Sequence, residues 1–564
     1  MTVKASDYPP PFAAKDYVAE PTDPVDERIE VGVLVVGAGP AGLACAIRLG
    51  QLLADDPATA ERLGDVPVAI VEKGKQPGSH LLSGACVNPR SLRRLFGDRY
   101  RVEDLPSYGR VDGEAVYVLS RRGAVRIPPP PTMRNHGNYV FSLSRLGRWL
   151  AEHAEEGGAM LLPETAAEKL LVSHGRVVGV RTGDKGRDRD GAEMGNFEPG
   201  ADLVAKVTVL AEGTQGHLTG VAIDRFGLAG AEPQIWELGV KEVWKVEQPL
   251  RDVIHTMGWP LRKAAKYREF GGSFLYPMGD DMLTIGMVVG LDYRDAELSA
   301  HDLLQELKTH PRIRKLLAGG ERVAWGAKTI PGGGWNSLPT RLYAPGLLLC
   351  GDGVGLVNIP RLKGVHYAIE SGRLAAESAY AALQPGGTPG TSLAAYDAAV
   401  REGFIGRDLH EVRDMRQVFG RGFVVGGALA SGMTVTKGKV SVGKLAAEPD
   451  ADAPLLRSGR AAAYPAPDGT LTFDKLSSVF ASGNKTRDDQ PNHIRIEQRV
   501  PAQVAEMWAH LCPAQVYEVG EDHGDGTVTV QLAPSNCVQC GAITAQGGRL
   551  TPPEGGSGPE YTQT

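Results

Sequence analysis

Short, wholly apolar runs punctuate the chain between longer segments of mixed pattern. Val31–Val36 (VGVLVV) is apolar at every position. That suits a parallel strand buried on both faces rather than one with a wet side. It leads into Gly37-Ala38-Gly39-Pro40-Ala41-Gly42, and the spacing from Leu43 to Leu53 predicts a helix. A second run, Val68–Val71, starts after Pro67, which is tolerated at a strand's entry, and ends at Glu72-Lys73. Residues 54–65 between them read as an insertion. Arg145–Glu156 has helical spacing, with Leu146, Trp149 and Leu150 on one face. Lys169–Val172 and Val177–Arg181 alternate around His174-Gly175 and predict a hairpin. Val207–Leu210 is a further strand, ending at Ala211-Glu212-Gly213. Leu347–Cys350 is another, ending at Gly351-Asp352-Gly353, with a helix from about Gly364 to Leu383 after it. Residues 1–29 are rich in Pro and Asp and read as irregular. The stretch from about 232 to 330 mixes strands and short helices. Beyond about 450 the composition shifts to Pro, Asp and Gly, and no internal repeat is visible.

The length of 564 residues, at about 150 per unit, predicts three or four domain-sized units. Apolar residues are 42% and charged residues 23%, which excludes wholesale disorder. The formal charge of −6 argues against nucleic acid as a partner. The first residues have no apolar core of a secretory signal, so none is expected. Two uncharged stretches, Val31–Ile47 and Gly422–Thr436, are both shorter than the roughly 20 residues that span a bilayer. No transmembrane helix is expected. Gly422–Val435, flanked by Arg421 and Lys437, reads either as a patch lying on a membrane surface or as a buried Gly-rich helix pair.

Gly37-x-Gly39-x-x-Gly42 opens a helix directly after a strand. The first glycine permits the turn, the second lets a pyrophosphate approach the backbone, and the third lets helix and strand pack closely. The helix N-terminus stabilises the phosphate charge. Glu72, at the end of the second strand, is placed to bond ribose hydroxyls. Its distance from Gly42 exceeds the usual ~20 residues because of the insertion. The late strand ending in Gly351-Asp352 favours FAD over NAD. Gly351 allows close approach, and Asp352 accepts hydrogen bonds from the ribityl chain or from phosphate-bound water.

There are six cysteines, too few for a disulfide scaffold. Cys45, Cys86 and Cys350 lie among apolar or small residues and read as packing. Cys512, followed by Pro513, and Cys537-x-x-Cys540 have soft-ligand spacing suited to iron and sulfide. A fourth thiolate is expected three residues past Cys540, where Ile543 stands. Three readings are open: a three-thiolate cluster (3Fe–4S, or 4Fe–4S with a non-cysteine ligand), a relic domain with no cluster, or a zinc site completed by His523.

At this point several segments together resemble one family. They are VEKGKQPGSHLLSGACVNP (71–89), HGNYVFSL (136–143), LAEGTQGHL (210–218), LGVKEVWKV (238–246) and GGSFLYPM (271–278). NIPRLKGVHYAIESGRLAAE (358–377), YPAPDGTLTFDKLSSVFASG (464–483), DQPNHIRI (489–496), CPAQVYE (512–518) and PEGGSGPEY (553–561) continue the match. The chain resembles the electron-transfer flavoprotein–quinone oxidoreductases, the FixC-like flavoproteins, from about residue 30 to 560.

The resemblance implies an α/β fold. A Rossmann-like FAD domain of the glutathione-reductase type covers 30–107, 141–231 and 335–450. An interwoven α+β quinone domain covers 108–140 and 232–334, and a ferredoxin-like iron–sulfur domain covers 451–564. It implies electrons arriving from a soluble electron-transfer flavoprotein and leaving to a membrane quinone, with no catalytic acid, base or nucleophile. Lys73, Ser83 and Gly84 join Gly37, Gly39, Gly42, Glu72, Gly351 and Asp352 at the FAD. Gly271 and Gly272 let the quinone head group approach the backbone; apart from the family, the pair reads as a turn before a strand. Cys512, Cys537 and Cys540 are the cluster ligands. A peripheral or monotopic place on the cytoplasmic face of the cytoplasmic membrane follows from the same resemblance. The rival expectation is a FixC-like or geranylgeranyl-reductase-like FAD enzyme acting on a small apolar substrate.

Overall fold

Five parallel strands form the centre of the first sheet. A computed structural model describes residues 3–22, 28–386, 389–421, 423–436 and 446–564 of the chain. In it Arg28–Val36 lies between Val68–Val71 and Asp202–Leu210, with Met160–Leu162 and Leu347–Leu349 extending the two sides. Val33, Leu34 and Val35 are wholly buried, as an all-apolar run in a parallel sheet requires. The helix Pro40–Ala54 packs against Leu143–Glu156 and Val365–Leu383. The hairpin Ala167–Ser173/Arg176–Thr182 pairs antiparallel with the start of Asp202–Leu210.

One local expectation is corrected and another gains detail. Residues 1–29 are not irregular throughout, because Val18–Ala19 joins the first sheet parallel to Leu170 and Leu171. The segment 54–65 contains the helix Pro57–Arg62, capped where the Asp56 carboxylate accepts the Thr59 amide at 3.1 Å. Both arise from short stretches whose structure is set by a cap or a long-range partner rather than by hydrophobic period.

The second sheet has seven strands in the order Glu321–Pro331, Trp236–Lys245, Met282–Gly290, Gly271–Pro277, Val253–Gly258, Glu114–Leu119 and Ala124–Ile127. Val253–Gly258 runs parallel to Glu114–Leu119, so a segment distant in sequence completes the sheet. Residues beyond 490 form a three-stranded antiparallel sheet, Arg499–Pro501, Thr527–Leu532 and Tyr517–Asp522, against the helix Ala502–Leu511. Trp508 of that helix and Trp325 of the second sheet lie in one continuous core. The chain end returns to the first unit, where the Thr564 carbonyl accepts the Ser144 amide at 3.1 Å. The fold is α/β, with a Rossmann-like domain, an interwoven α+β unit and a C-terminal α+β unit. Among the described residues no helix is long and apolar enough to cross a membrane.

Candidate functional site

The turn after Arg28–Val36 shows why it is built of glycine. Gly37 has φ +103°, and a Cβ there would meet the Ala211 carbonyl oxygen at 2.6 Å. A Cβ on Gly42 would lie 2.0 Å from the Gly37 oxygen, so the helix can sit this close only without a side chain. Gly39 differs: its nearest neighbour is a Leu81 methyl at 3.7 Å, and it faces open space at the start of the helix Pro40–Ala54. That space and the first-turn amides fit a pyrophosphate. Glu72 accepts the Ala38 amide at 2.9 Å and the Gly74 amide at 2.7 Å. Each of its oxygens keeps a lone pair for a ribose hydroxyl.

Gly37, Gly39, Pro40, Ala41, Glu72, Leu81 and Ala211 line one cavity of about 1180 Å³. That exceeds the roughly 300–1,000 Å³ of an ordinary small-ligand pocket, so there is room for a dinucleotide and a second ligand. Lys73, Ser83, Gly84, Gly351, Asp352, Gly271 and Gly272 line the same cavity. Burial pulls the Lys73 ammonium below its ordinary range, against the pull of Glu72 and Glu212. Burial pushes the Asp352 carboxyl up to about 6. The Gly351 amide donates to Ser371 Oγ at 3.1 Å. Buried polar atoms in the wall, among them Gln215 Nε2 and Gln539 Oε1, have no hydrogen-bond partner among the described residues. Such atoms suit a polar ligand lying against them.

The Gly271-Gly272 pair is not a turn but the start of the strand Gly271–Pro277. A Cβ on Gly271 would meet the Val288 oxygen at 2.0 Å, and one on Gly272 the Thr256 oxygen at 2.6 Å. Close packing of three strands therefore requires glycine at both positions, and both still face the cavity. Of the apolar stretch Gly422–Val435, Gly422 and the flanking Lys437 lie outside the described residues. Phe423–Val435 is a helix, and its Gly427, Ala430, Ser431 and Thr434 reach the cavity wall.

One buried, cavity-lining charge escaped the sequence reading. Lys241 sits in the strand Trp236–Lys245, next to the edge of the second sheet, is 1% exposed, and lines the cavity. Its Nζ donates to the Ser83 carbonyl at 2.7 Å. Burial alone lowers its pKa to about 7. No sequence signal singles it out, since Glu237, Glu242 and Lys245 of the same strand are charged as well.

The thiols of Cys512, Cys537 and Cys540 converge on a second, small pocket. The hairpin Tyr517–Asp522/Thr527–Leu532 folds the intervening residues back, and the Ala533 amide bonds the Val516 carbonyl at 2.8 Å. The Ala514 amide points at Cys512 Sγ and the Gln539 amide at Cys537 Sγ, each at 3.4 Å. Burial and the neighbouring thiols push the Cys540 thiol up to about 12. Backbone donors aimed at sulfur, with thiols that hinder one another's ionisation, fit a set of metal ligands. Ile543, in the turn Ala542–Ala545, lines the same pocket and is 4% exposed. The zinc reading falls. His523 is exposed, bonded to Thr529 Oγ1 at 2.8 Å, and absent from the lining of the thiol pocket. Of the other cysteines, Cys45 and Cys350 are buried in the first core, whereas Cys86 is a buried part of the cavity wall.

The two pockets meet. Gly541 lines both, and the Cys540 carbonyl accepts the Thr329 amide at 2.8 Å and the Thr329 hydroxyl at 2.9 Å.

Residues 236–330 match the family model described as ETF-QO, ubiquinone-binding. Residues 469–562 match that of electron transfer flavoprotein-ubiquinone oxidoreductase, 4Fe-4S. The chain is 37% identical to the mitochondrial electron transfer flavoprotein-ubiquinone oxidoreductase of Arabidopsis thaliana, over 96% of this chain and 86% of that protein. It is 38% identical to the protein of the same name from Pseudomonas aeruginosa, over 95% of this chain and 99% of that one. Among solved structures it is similar in fold to a geranylgeranyl bacteriochlorophyll reductase-like protein from Thermoplasma acidophilum. That match has a TM-score of 0.55 and 17% identity, over 74% of this chain and 94% of the other.

Proposed function

The chain belongs to the electron transfer flavoprotein–ubiquinone oxidoreductase family, and from that premise we propose that its cavity and its thiol pocket are successive stations on a path from electron-transfer flavoprotein to a membrane quinone. The observation that carries this reading is the wall they share at Gly541. When bound, FAD and an iron–sulfur cluster supply the electron carriers, and no side chain acts as nucleophile.

What the chain supplies is placement and charge. Gly37, Gly39 and Gly42 shape the pyrophosphate seat, Glu72 receives ribose hydroxyls, and Lys73, Ser83, Gly84, Gly351 and Asp352 line the remaining FAD contact. Gly271 and Gly272 leave a flat, side-chain-free wall for the quinone head group. Reduction of a quinone to a quinol takes up protons as well as electrons, and the surrounding wall is largely apolar. Lys241 Nζ, protonated near neutrality, holds a proton and a positive charge at that wall. The helix Phe423–Val435, apolar and open to the cavity, is the route by which a water-insoluble quinone enters from lipid. The protein then sits peripherally on the cytoplasmic face of the membrane. The rival reading, a flavin reductase of a small apolar substrate, leaves the C-terminal unit without a task.

The test mixes purified FAD-loaded protein with reduced electron-transfer flavoprotein and a short-chain quinone. Quinol should form in proportion to flavoprotein oxidised. Flavoprotein that stays reduced in the presence of quinone would overturn the reading.

A further inference from the structure

We infer that the cluster held by Cys512, Cys537 and Cys540 is a three-iron 3Fe–4S cluster, with Ile543 filling the corner where a fourth donor would stand. This rests on the reading of the C-terminal unit as an iron–sulfur domain, and it departs from the four-iron centre named for the matched model.

Iron in such clusters is taken by thiolate, with imidazole as the alternative. The pocket offers three thiols, and among the described residues its lining contains no histidine and no carboxylate. Apart from the cysteines, the only side-chain oxygen is that of Tyr517; the rest of the lining is aliphatic side chain or glycine. Ile543 occupies the position three residues past Cys540, where a Cys-x-x-Cys-x-x-Cys run places its next thiolate.

The neighbouring polar side chains on this turn are engaged elsewhere. Thr544 Oγ1 accepts the Leu550 amide at 3.2 Å, and the Gln546 side chain donates to the Leu291 carbonyl. Water is a poor substitute. A buried water needs two to four polar partners, and the Ile543 side chain supplies none. Ile543 packs directly on Gly548, where a Cβ would meet its Cγ1 at 2.5 Å. Three donors and one hydrocarbon corner match a cluster that lacks one iron.

The test is iron and acid-labile sulfide analysis of anaerobically purified, FAD-containing protein, with electron paramagnetic resonance before and after dithionite. The inference predicts about three irons and about four sulfides per chain, with the signal present in the oxidised state. Incubation with excess ferrous iron and thiol should leave the count unchanged. About four irons, with a signal only after reduction, would overturn it, whether found at once or after that incubation. Such a result leaves the iron–sulfur reading of the unit standing. Absence of iron from FAD-containing protein would overturn both together.

Ile543→Cys should raise the count to about four irons and move the signal to the reduced state. A folded variant that stays at three irons contradicts the assignment of that corner to residue 543, and if the variant does not fold the wild-type count decides. Tyr517→Phe should keep the three-iron signal; loss of iron in that variant would make Tyr517 a ligand and overturn the inference.

Discussion

Two adjacent charges in the strand Trp236–Lys245 point to opposite faces of the second sheet and meet opposite conditions. Glu242 is wholly buried, but it accepts from Lys308 Nζ at 3.0 and 2.8 Å and from Trp244 Nε1 at 2.7 Å, with Arg322 at 3.7 Å. Burial opposes its charge, and Lys308, Arg322 and these hydrogen bonds outweigh that, so its carboxyl titrates below the ordinary range. Lys241, one residue earlier, has a single carbonyl for a partner and faces the cavity. A buried charge surrounded by partners holds the fold together. A buried charge left with a carbonyl and a ligand cavity costs stability and has its use in the reaction.

The largest expected effect comes from breaking the satisfied side. Glu242→Ala leaves Lys308 and Arg322 buried without their carboxylate and should lower unfolding stability by about 3–5 kcal/mol, seen as a fall in Tm of the FAD-loaded protein. Lys241→Met should do the reverse, leaving Tm unchanged or higher because an unpaired ammonium is replaced by an apolar chain of similar length. The same variant should slow quinone reduction by about 10²-fold, while oxidation of reduced electron-transfer flavoprotein in the absence of quinone stays near the wild-type rate. With burial holding Lys241 at about 7, wild-type quinone reduction should fall as pH rises through neutrality, as Nζ loses its proton. The variant's profile should be flat there. A Lys241→Met protein with normal quinone reduction would erase the contrast between the two faces.

A smaller effect sharpens the comparison at a third charge. Asp202 is buried at the end of the first sheet and forked by Arg181 at 2.6 and 2.9 Å. Burial works against its ionisation, but Arg181 and Thr22 hold it down to about 2. Its folded value lies below the unfolded one near 3.9. Its contribution is therefore complete above about pH 4 and is lost as pH falls toward 2, on the order of 2 kcal/mol. Acid unfolding of Asp202→Asn should lack that component.

The sequence made the glycine turn, Glu72 and the all-apolar parallel strands legible because each is a local pattern with a local cause. The Cys537-x-x-Cys540 pair was legible for the same reason. Convergence of Cys512 on that pair depends on a hairpin spanning the residues between, which spacing alone does not locate. Lys241 and Gly541 were invisible for a stronger reason. One gains its meaning from Ser83, the other from Thr329 and two cavities, and these partners come together only through the register of the second sheet and the docking of the chain end. Gly271 and Gly272 show the intermediate case. The family resemblance singled them out for quinone approach, but the neighbouring carbonyls that require glycine at both positions were not readable.

The central claim is that the thiol pocket and the cavity serve one electron path. Anaerobic mixing of FAD-loaded protein with reduced electron-transfer flavoprotein, followed by quinone in a second mix, tests it most directly. The account predicts loss of oxidised-flavin absorbance in the first mix and its return, with stoichiometric quinol, in the second. Flavin absorbance that never changes in the first mix, or that fails to return with quinone, would contradict it.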